Sequence, residues 1–273
     1  MSTDHSGLRR PQRPGERESV QANPYPWWDE KDDVDGLLEL YEALGRAETI
    51  RDYSFILGNH LSWGNRKIAD HVATYSITSA HDCPNIGTEY CQVTEETCYA
   101  ARTEHTYEET FDYRRRQEVL WDHLDAETFT RAFEAVVDRK RNPVTALRVN
   151  QAGDVRHRGD VIKLNSIARS LATDHDIETY IYTASSWIPW DEIPTDSITI
   201  NASDDREPLA SEADRFYTAL PAGVDPDDDA EVVDHIDDDA IQCPYDATDG
   251  AHKCGSCRLC LNDDAQDVYI RIH

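Results

Sequence analysis

Thr145-Ala-Leu-Arg-Val-Asn150, then Gln151-Ala-Gly-Asp154, and after an interval Ile177-Glu-Thr-Tyr-Ile-Tyr-Thr183, decide the fold. Both outer runs are short, apolar and β-branched or aromatic, which suits strands. Between them Val161, Leu164, Ile167, Ala168 and Leu171 recur at helical spacing on one face. Strand, polar loop, helix, strand is the rhythm of a parallel βαβ unit. Further strand-like runs lie at 72–77, 197–201, 216–220 and 240–243, which makes about six. An α/β fold follows, either an open sheet or a partial or full β/α barrel. A barrel-like arrangement is expected, because polar residues suited to chemistry follow successive strands, as at a barrel's C-terminal face.

Upstream, Val34, Leu37, Leu38, Tyr41 and Leu44 predict a helix over 33–45. A second helical stretch is expected after Cys98 and through Arg114-Arg115-Arg116. A third follows Asp125 as N-cap, with Phe129, Ala132, Phe133, Val136 and Val137 inward, and stops before Asn142-Pro143. Residues 1–25 lack periodicity and read as a disordered tail, which leaves 26–273 as a single β/α domain. The Asp-rich stretch 225–239 reads as a solvated loop or surface.

Fifty-four acidic residues stand against 27 basic ones, a formal charge of −27, with five lysines against twenty-two arginines. Such a surface stays hydrated in concentrated salt, so the charge reads as halophilic adaptation and does not exclude a nucleic-acid partner. No apolar run reaches a membrane span and no signal peptide is legible, so a cytoplasmic protein is expected. In that compartment seven cysteines point to metal or reactive thiols before disulfides.

Cys243, Cys254, Cys257 and Cys260 include two consecutive C-x2-C steps, a spacing that suits a structural zinc site in the segment 240–262. Cys83, Cys91 and Cys98 form a looser cluster, suited to three corners of an iron–sulfur cluster or to zinc with a histidine, or serving as plain structural thiols. Asp154 and Asp204 each follow a strand and can share a pocket, one as nucleophile or base and the other as proton donor. In so acidic a chain each can equally be a helix cap or surface group. Arg114, Arg115, Arg116, Arg156 and Arg158 are candidates for nucleic-acid phosphates, or else for ion pairs along their helices.

At Asn65-Arg-Lys67, His71-Val-Ala-Thr74-Tyr75-Ser76, Cys83-Pro84, Cys98-Tyr99-Ala100, Arg148 to Asp154, Tyr182-Thr183-Ala-Ser185 and the terminal cysteines, the chain resembles a phage family known as gene product 88. With the acidic surface, that resemblance implies a virus or provirus of a halophilic archaeon. It further suggests similarity to the DNA-modifying relatives of tRNA-guanine transglycosylases. Those are zinc-containing β/α barrels that exchange guanine for a 7-deazaguanine and so shield viral DNA from restriction. Carried over, Asp154 is the nucleophile on C1′, Asp204 handles the proton, and DNA and a deazaguanine base are the partners. Two departures stand: four cysteines replace that family's three and a histidine, and its Asp-containing motif has no match here. The loop ending Cys98-Tyr99-Ala100 also resembles the cluster loop of radical S-adenosylmethionine enzymes, without their C-x3-C-x2-C spacing. A third reading is a non-enzymatic zinc protein that binds nucleic acid.

Overall fold

The computed structural model describes residues 34–65, 67–93, 97–221, 223–226, 228–237, 239–262 and 266–271. The expected tail 1–25 lies outside the described residues. Helix α1 (Val34–Arg46) buries Leu37, Leu40 and Leu44. Helix α2 (Ile50–Gly58), which periodicity did not reveal, starts at a capping box in which Asp52 N donates to the Thr49 hydroxyl and Thr49 N to the Asp52 carboxylate. The helical stretch after Cys98 is two helices, α3 (Tyr99–Thr106) and α4 (Glu108–His123), because Tyr107 takes an extended backbone. Asp125 caps α5 (Ala126–Val137), accepting from Thr128 N at 2.7 Å. Helix α6 (Arg158–His175) is the crossover of the βαβ unit and ends at Asp176 in a left-handed conformation.

Eight strands form one sheet: β1 (Ser62–Trp63), β2 (Val72–Tyr75), β3 (Ala146–Val149), β4 (Glu178–Thr183), β5 (Thr199–Ala202), β6 (Arg215–Leu220), β7 (Ile241–Gln242) and β8 (Val268–Arg271). Their order is β1-β2-β3-β4-β5-β6-β8-β7, with β1 antiparallel to β2 and every other pair parallel. The sheet is open, with β1 and β7 as its edges, so of the partial or full barrel expected from the sequence the full form does not occur. A closed eight-fold barrel needs a helix after each parallel strand. Here β4 is followed only by a single turn, Trp190–Glu192, and β5 by Leu209–Glu212.

Alternation along the strands gives the sheet two unlike faces. Tyr75, Leu147, Val149, Ile181 and Ile200 point to one side and join Leu120, Phe129, Phe133, Leu164 and Leu171 of α4, α5 and α6 in the main core. In register on the other side stand Arg148 beside Tyr180, then Tyr182, Asn201 and Arg215. That second face is covered by the terminal cysteine segment. Arg215 donates to Leu259 O at 2.7 Å, Asn201 to Cys260 O at 3.2 Å, and Cys254 N to Lys67 O at 3.1 Å. The Asp-rich stretch contributes to packing, since Val232 is buried with Leu220 and Tyr269. No helix among the described residues is long and apolar enough to cross a membrane.

Candidate active site at the strand mouth

Asp154 lies at the C-terminal end of β3, on a turn that requires glycine at position 153. Gly153 has φ +67°, and a Cβ there would stand 2.0 Å from Thr78 Oγ1 and 2.4 Å from Thr78 O. The close approach lets Asp154 N donate to Thr78 Oγ1 at 2.9 Å. Asp154 is 4 % exposed. Its Oδ1 accepts from Val155 N at 2.7 Å and Asn150 Nδ2 at 3.4 Å, and its Oδ2 from Ala184 N and Asn85 Nδ2, both at 2.7 Å. Burial raises its carboxyl to about 6, against the pull of bonds from Ala184, Thr183, Val155 and Asn85. Asp204, at the end of β5, is also buried and accepts from the Ser186 hydroxyl, while its Oδ1 has Arg206 Nε at 3.6 Å. Asn85 links the two strand ends, donating to Ser185 Oγ at 2.7 Å while Trp187 Nε1 donates to it at 3.1 Å.

The loop carrying Cys83, Cys91 and Cys98 lies across this mouth. Asn85 ties it to β3 and β4, Arg206 donates to Glu89 O at 2.6 Å, and Ala219 N of β6 donates to Gln92 Oε1 at 2.9 Å. Behind it, buried Glu104 accepts from Ala80 N at 2.7 Å and pairs with Arg114 at 2.9 Å. Cys83 is raised well above the ordinary thiol range by burial and then by the Asp154 charge. Cys91 is raised to about 11 by burial, with Cys98, Asp154 and Asp204 adding to it. The three thiols and both carboxylates thus occupy one neighbourhood.

On the second face, a cavity of about 380 Å³ lies between the sheet and the terminal segment, lined by all four of its cysteines and by His71, Arg148 and Tyr182. Gly255 seats the segment: a Cβ there would stand 2.3 Å from Ala69 Cβ and 2.6 Å from His71 Cε1. Burial raises Cys254 to about 11 and also raises Cys260, each against the charge of Arg148. The thiol chemistry suits zinc, yet among the described residues no group of three or more His, Cys, Asp or Glu side chains is placed to hold a metal ion. All seven cysteines are free thiols.

A family model described as gene product 88 matches residues 58–263. The chain belongs to the gene product 88 family. The match takes in the mouth, the cysteine loop and the terminal quartet. Comparison with curated proteins and with solved structures gives no match.

In this gene product 88 protein the candidate arginines largely serve ion pairs. Arg114 pairs with Glu104, Arg115 with Asp82, and Arg158 with Glu192 at 3.2 Å. Arg156 meets Asp122 at 2.5 Å and Asp160 at 3.1 Å, while Arg116 is half-buried on α4. Two important residues escaped the sequence reading. Asn85 gave no signal, since its role depends on contacts about 70 and 100 positions away. Arg148 did give one: a charged residue between Leu147 and Val149 in a parallel strand marks a face that is not plain core.

Proposed function

We propose that this protein is an enzyme that modifies a nucleic-acid base at the strand mouth, by transglycosylation with a 7-deazaguanine as the incoming base. The sequential order of β2 to β6, with α4, α5 and α6 packed on one face, supports reading the sheet as part of a β/α barrel. The observation that carries the proposal is the gathering of Asp154 and Asp204 beneath one loop, linked through Asn85 and the 185–187 turn.

Lone pairs assign the roles. Both oxygens of Asp154 already accept two hydrogen bonds each, which leaves no room for a bond to carbon. The long bond from Asn150 at 3.4 Å is the one a proton on Oδ1 would displace, and burial raises the carboxyl to about 6. Among the described residues, Asp204 Oδ1 meets only Arg206 Nε, at 3.6 Å. This favours Asp204 as nucleophile and Asp154 as the proton-handling group, the reverse of the order taken from sequence. In the first half, Asp204 bonds to C1′ as the bond from C1′ to guanine N9 breaks, and the departing base takes up a proton from Asp154. In the second, the incoming base's N9 bonds to C1′, the carboxylate leaves, and the N9 proton returns to Asp154. Trp187 and the aromatic surroundings would receive a base drawn out of its stack. Zinc on Cys243, Cys254, Cys257 and Cys260 would be a structural clamp in this reading, with no part in the reaction.

The test uses DNA oligonucleotides with radiolabelled guanine, incubated with the full chain and a 7-deazaguanine. Label should be released only when the acceptor base is present. Asp204→Asn should abolish release, and Asp154→Asn should slow it by about 10²–10⁴-fold. Folded protein that releases nothing from DNA or RNA removes the proposal.

One observation favours a second reading. Cys83, Cys91 and Cys98 lie on a single loop after the first parallel strand, near enough that, beyond burial, the thiols raise one another's pKa, with Asp154 adding to Cys83 and Cys91. An iron–sulfur cluster there would supply one-electron chemistry when bound. The thiols as placed do not form a metal-holding group. Anaerobically purified protein containing iron and sulfide would favour this reading over transglycosylation.

A further inference from the structure

The cavity between the sheet and the terminal segment holds an arginine that the fold itself leaves unused. Arg148 stands in the middle of β3, half-buried among Tyr180, Tyr182 and Tyr217. Its guanidinium lies 4.7 Å over the Tyr182 ring, and the part of the side chain not packed against protein faces the cavity. Among the described residues no carboxylate pairs with it, and its Nε is buried without a hydrogen-bond partner. Arg215, three strands along on the same face, shows the contrast. Its Nε is likewise without a partner, but its Nη1 and Nη2 donate to Asn201, Leu259 and Asn262 and so fasten the terminal segment.

A buried cation without a counter-charge is unfavourable. In a chain with 54 acids against 27 bases, a carboxylate partner is the easiest thing for selection to supply. Arg114, Arg115, Arg156 and Arg158 each have one. A site that keeps its guanidinium unpaired is suited to a charge that arrives from outside.

We infer that this cavity binds a small heteroaromatic anion, whose phosphate or carboxylate meets Arg148 and whose ring lies among Tyr180, Tyr182 and Tyr217. The guanidinium fork matches either headgroup with paired hydrogen bonds. Tyrosine rings supply flat apolar surface and edges for a planar ring. The volume of about 380 Å³ falls within the range of small-ligand pockets. Asn150, Gln151 and Ser203 line the cavity and neighbour the strand mouth, so a bound ligand would reach towards Asp154 and Asp204. The inference goes beyond transglycosylation and stands whether or not that reaction occurs.

Isothermal titration at one fixed salt concentration tests it with four probes. Guanosine 5′-monophosphate and orotate carry the two headgroups on heteroaromatic rings, and guanosine and uracil are their uncharged counterparts. At least one anion should bind, at least tenfold more tightly than its neutral counterpart, and folded Arg148→Met should remove that difference. The better anion identifies the headgroup. Binding of none of the four, equal binding of anion and neutral probe, or an unchanged anion affinity in Arg148→Met overturns the inference. If Arg148→Met does not fold, Arg148→Lys keeps a charge without the fork. It should weaken the anion and spare the neutral probe, and equal anion affinity again overturns the inference. Metal content is read on the same samples, because Arg148 also faces Cys254 and Cys260. A variant that loses zinc while keeping anion affinity would assign Arg148 to the thiolates instead.

Discussion

Asp154 is a carboxyl that four donors hold in place and that burial keeps protonated to about pH 6. Its folded value lies above the ordinary 3.8, so the folded state binds the proton more tightly than the unfolded chain does. The stability it contributes is complete below the unfolded value and is lost as pH rises through the folded one. Between pH 4 and 7 the loss amounts to about 2 kcal/mol. Asp154→Asn cannot titrate, so its stability should lack this fall, even though the amide forfeits acceptors for Ala184 and Asn85. Urea melts of both proteins across that range measure the difference, and parallel profiles would show that burial does not shift the group. Asp82 works in the opposite direction. Burial alone would raise it, but the His81 hydrogen bond and the Arg115 guanidinium outweigh that and hold it well below its usual range. Next to Asp154, Gly153→Ala should destabilise by at least about 2 kcal/mol, because the new methyl meets the Thr78 backbone as well as its side chain. A shift under 0.5 kcal/mol, on the order of an ordinary surface substitution, would mean the 150–154 turn relaxes freely.

At the scale of elements, local chemistry sets boundaries that can be tested singly. Asp125→Ala removes the bond to Thr128 N and should cost about 1 kcal/mol through the start of α5. Gly45 lies inside α1 with nothing within 4 Å of an added Cβ, so Gly45→Ala should instead stabilise by about 0.5–1 kcal/mol. Thermal melts with opposite shifts for the two variants are the expected result. These elements also show what the sequence made legible. α1, α5, α6 and β2 to β6 were readable because their apolar spacing matches the side that packs on the main core. α2 was not, since its start is fixed by the Thr49–Asp52 capping box and its apolar face is short. β1 and β8 were missed because two and four residues at a sheet edge or end carry too little pattern. The break between α3 and α4 was hidden for another reason. Tyr107 is an ordinary residue held extended by its surroundings, with neither glycine nor proline to announce it. Strand-end placement made Asp154 and Asp204 legible as neighbours, whereas their linkage through Asn85 belongs to the loop's tertiary path.

For the whole molecule, the sheet divides labour between its faces. One side is an apolar core with α4, α5 and α6, and the other carries charge, tyrosine and thiols under a segment attached by a few hydrogen bonds. The net charge of −27 acts on this unequal construction. Internal pairs such as Arg156 with Asp122 and Asp160 neutralise carboxylates locally, but arginines and lysines are outnumbered two to one, so most of the excess must be screened by solvent ions. Lowering salt from about 1 M to about 0.1 M lengthens the screening distance from about 3 to about 10 Å, and repulsion then reaches across neighbouring surface groups. Each added kcal/mol of repulsion lowers the melting midpoint of a domain this size by about 2–4 °C. A fall of at least about 10 °C is therefore expected over that range, measured by calorimetry at constant pH. Hydrogen exchange should show the terminal cysteine segment opening before the helical face, because fewer apolar contacts hold it. A midpoint that stays level or rises as salt is withdrawn would mean that the paired arginines, rather than solvent ions, carry the balance of charge.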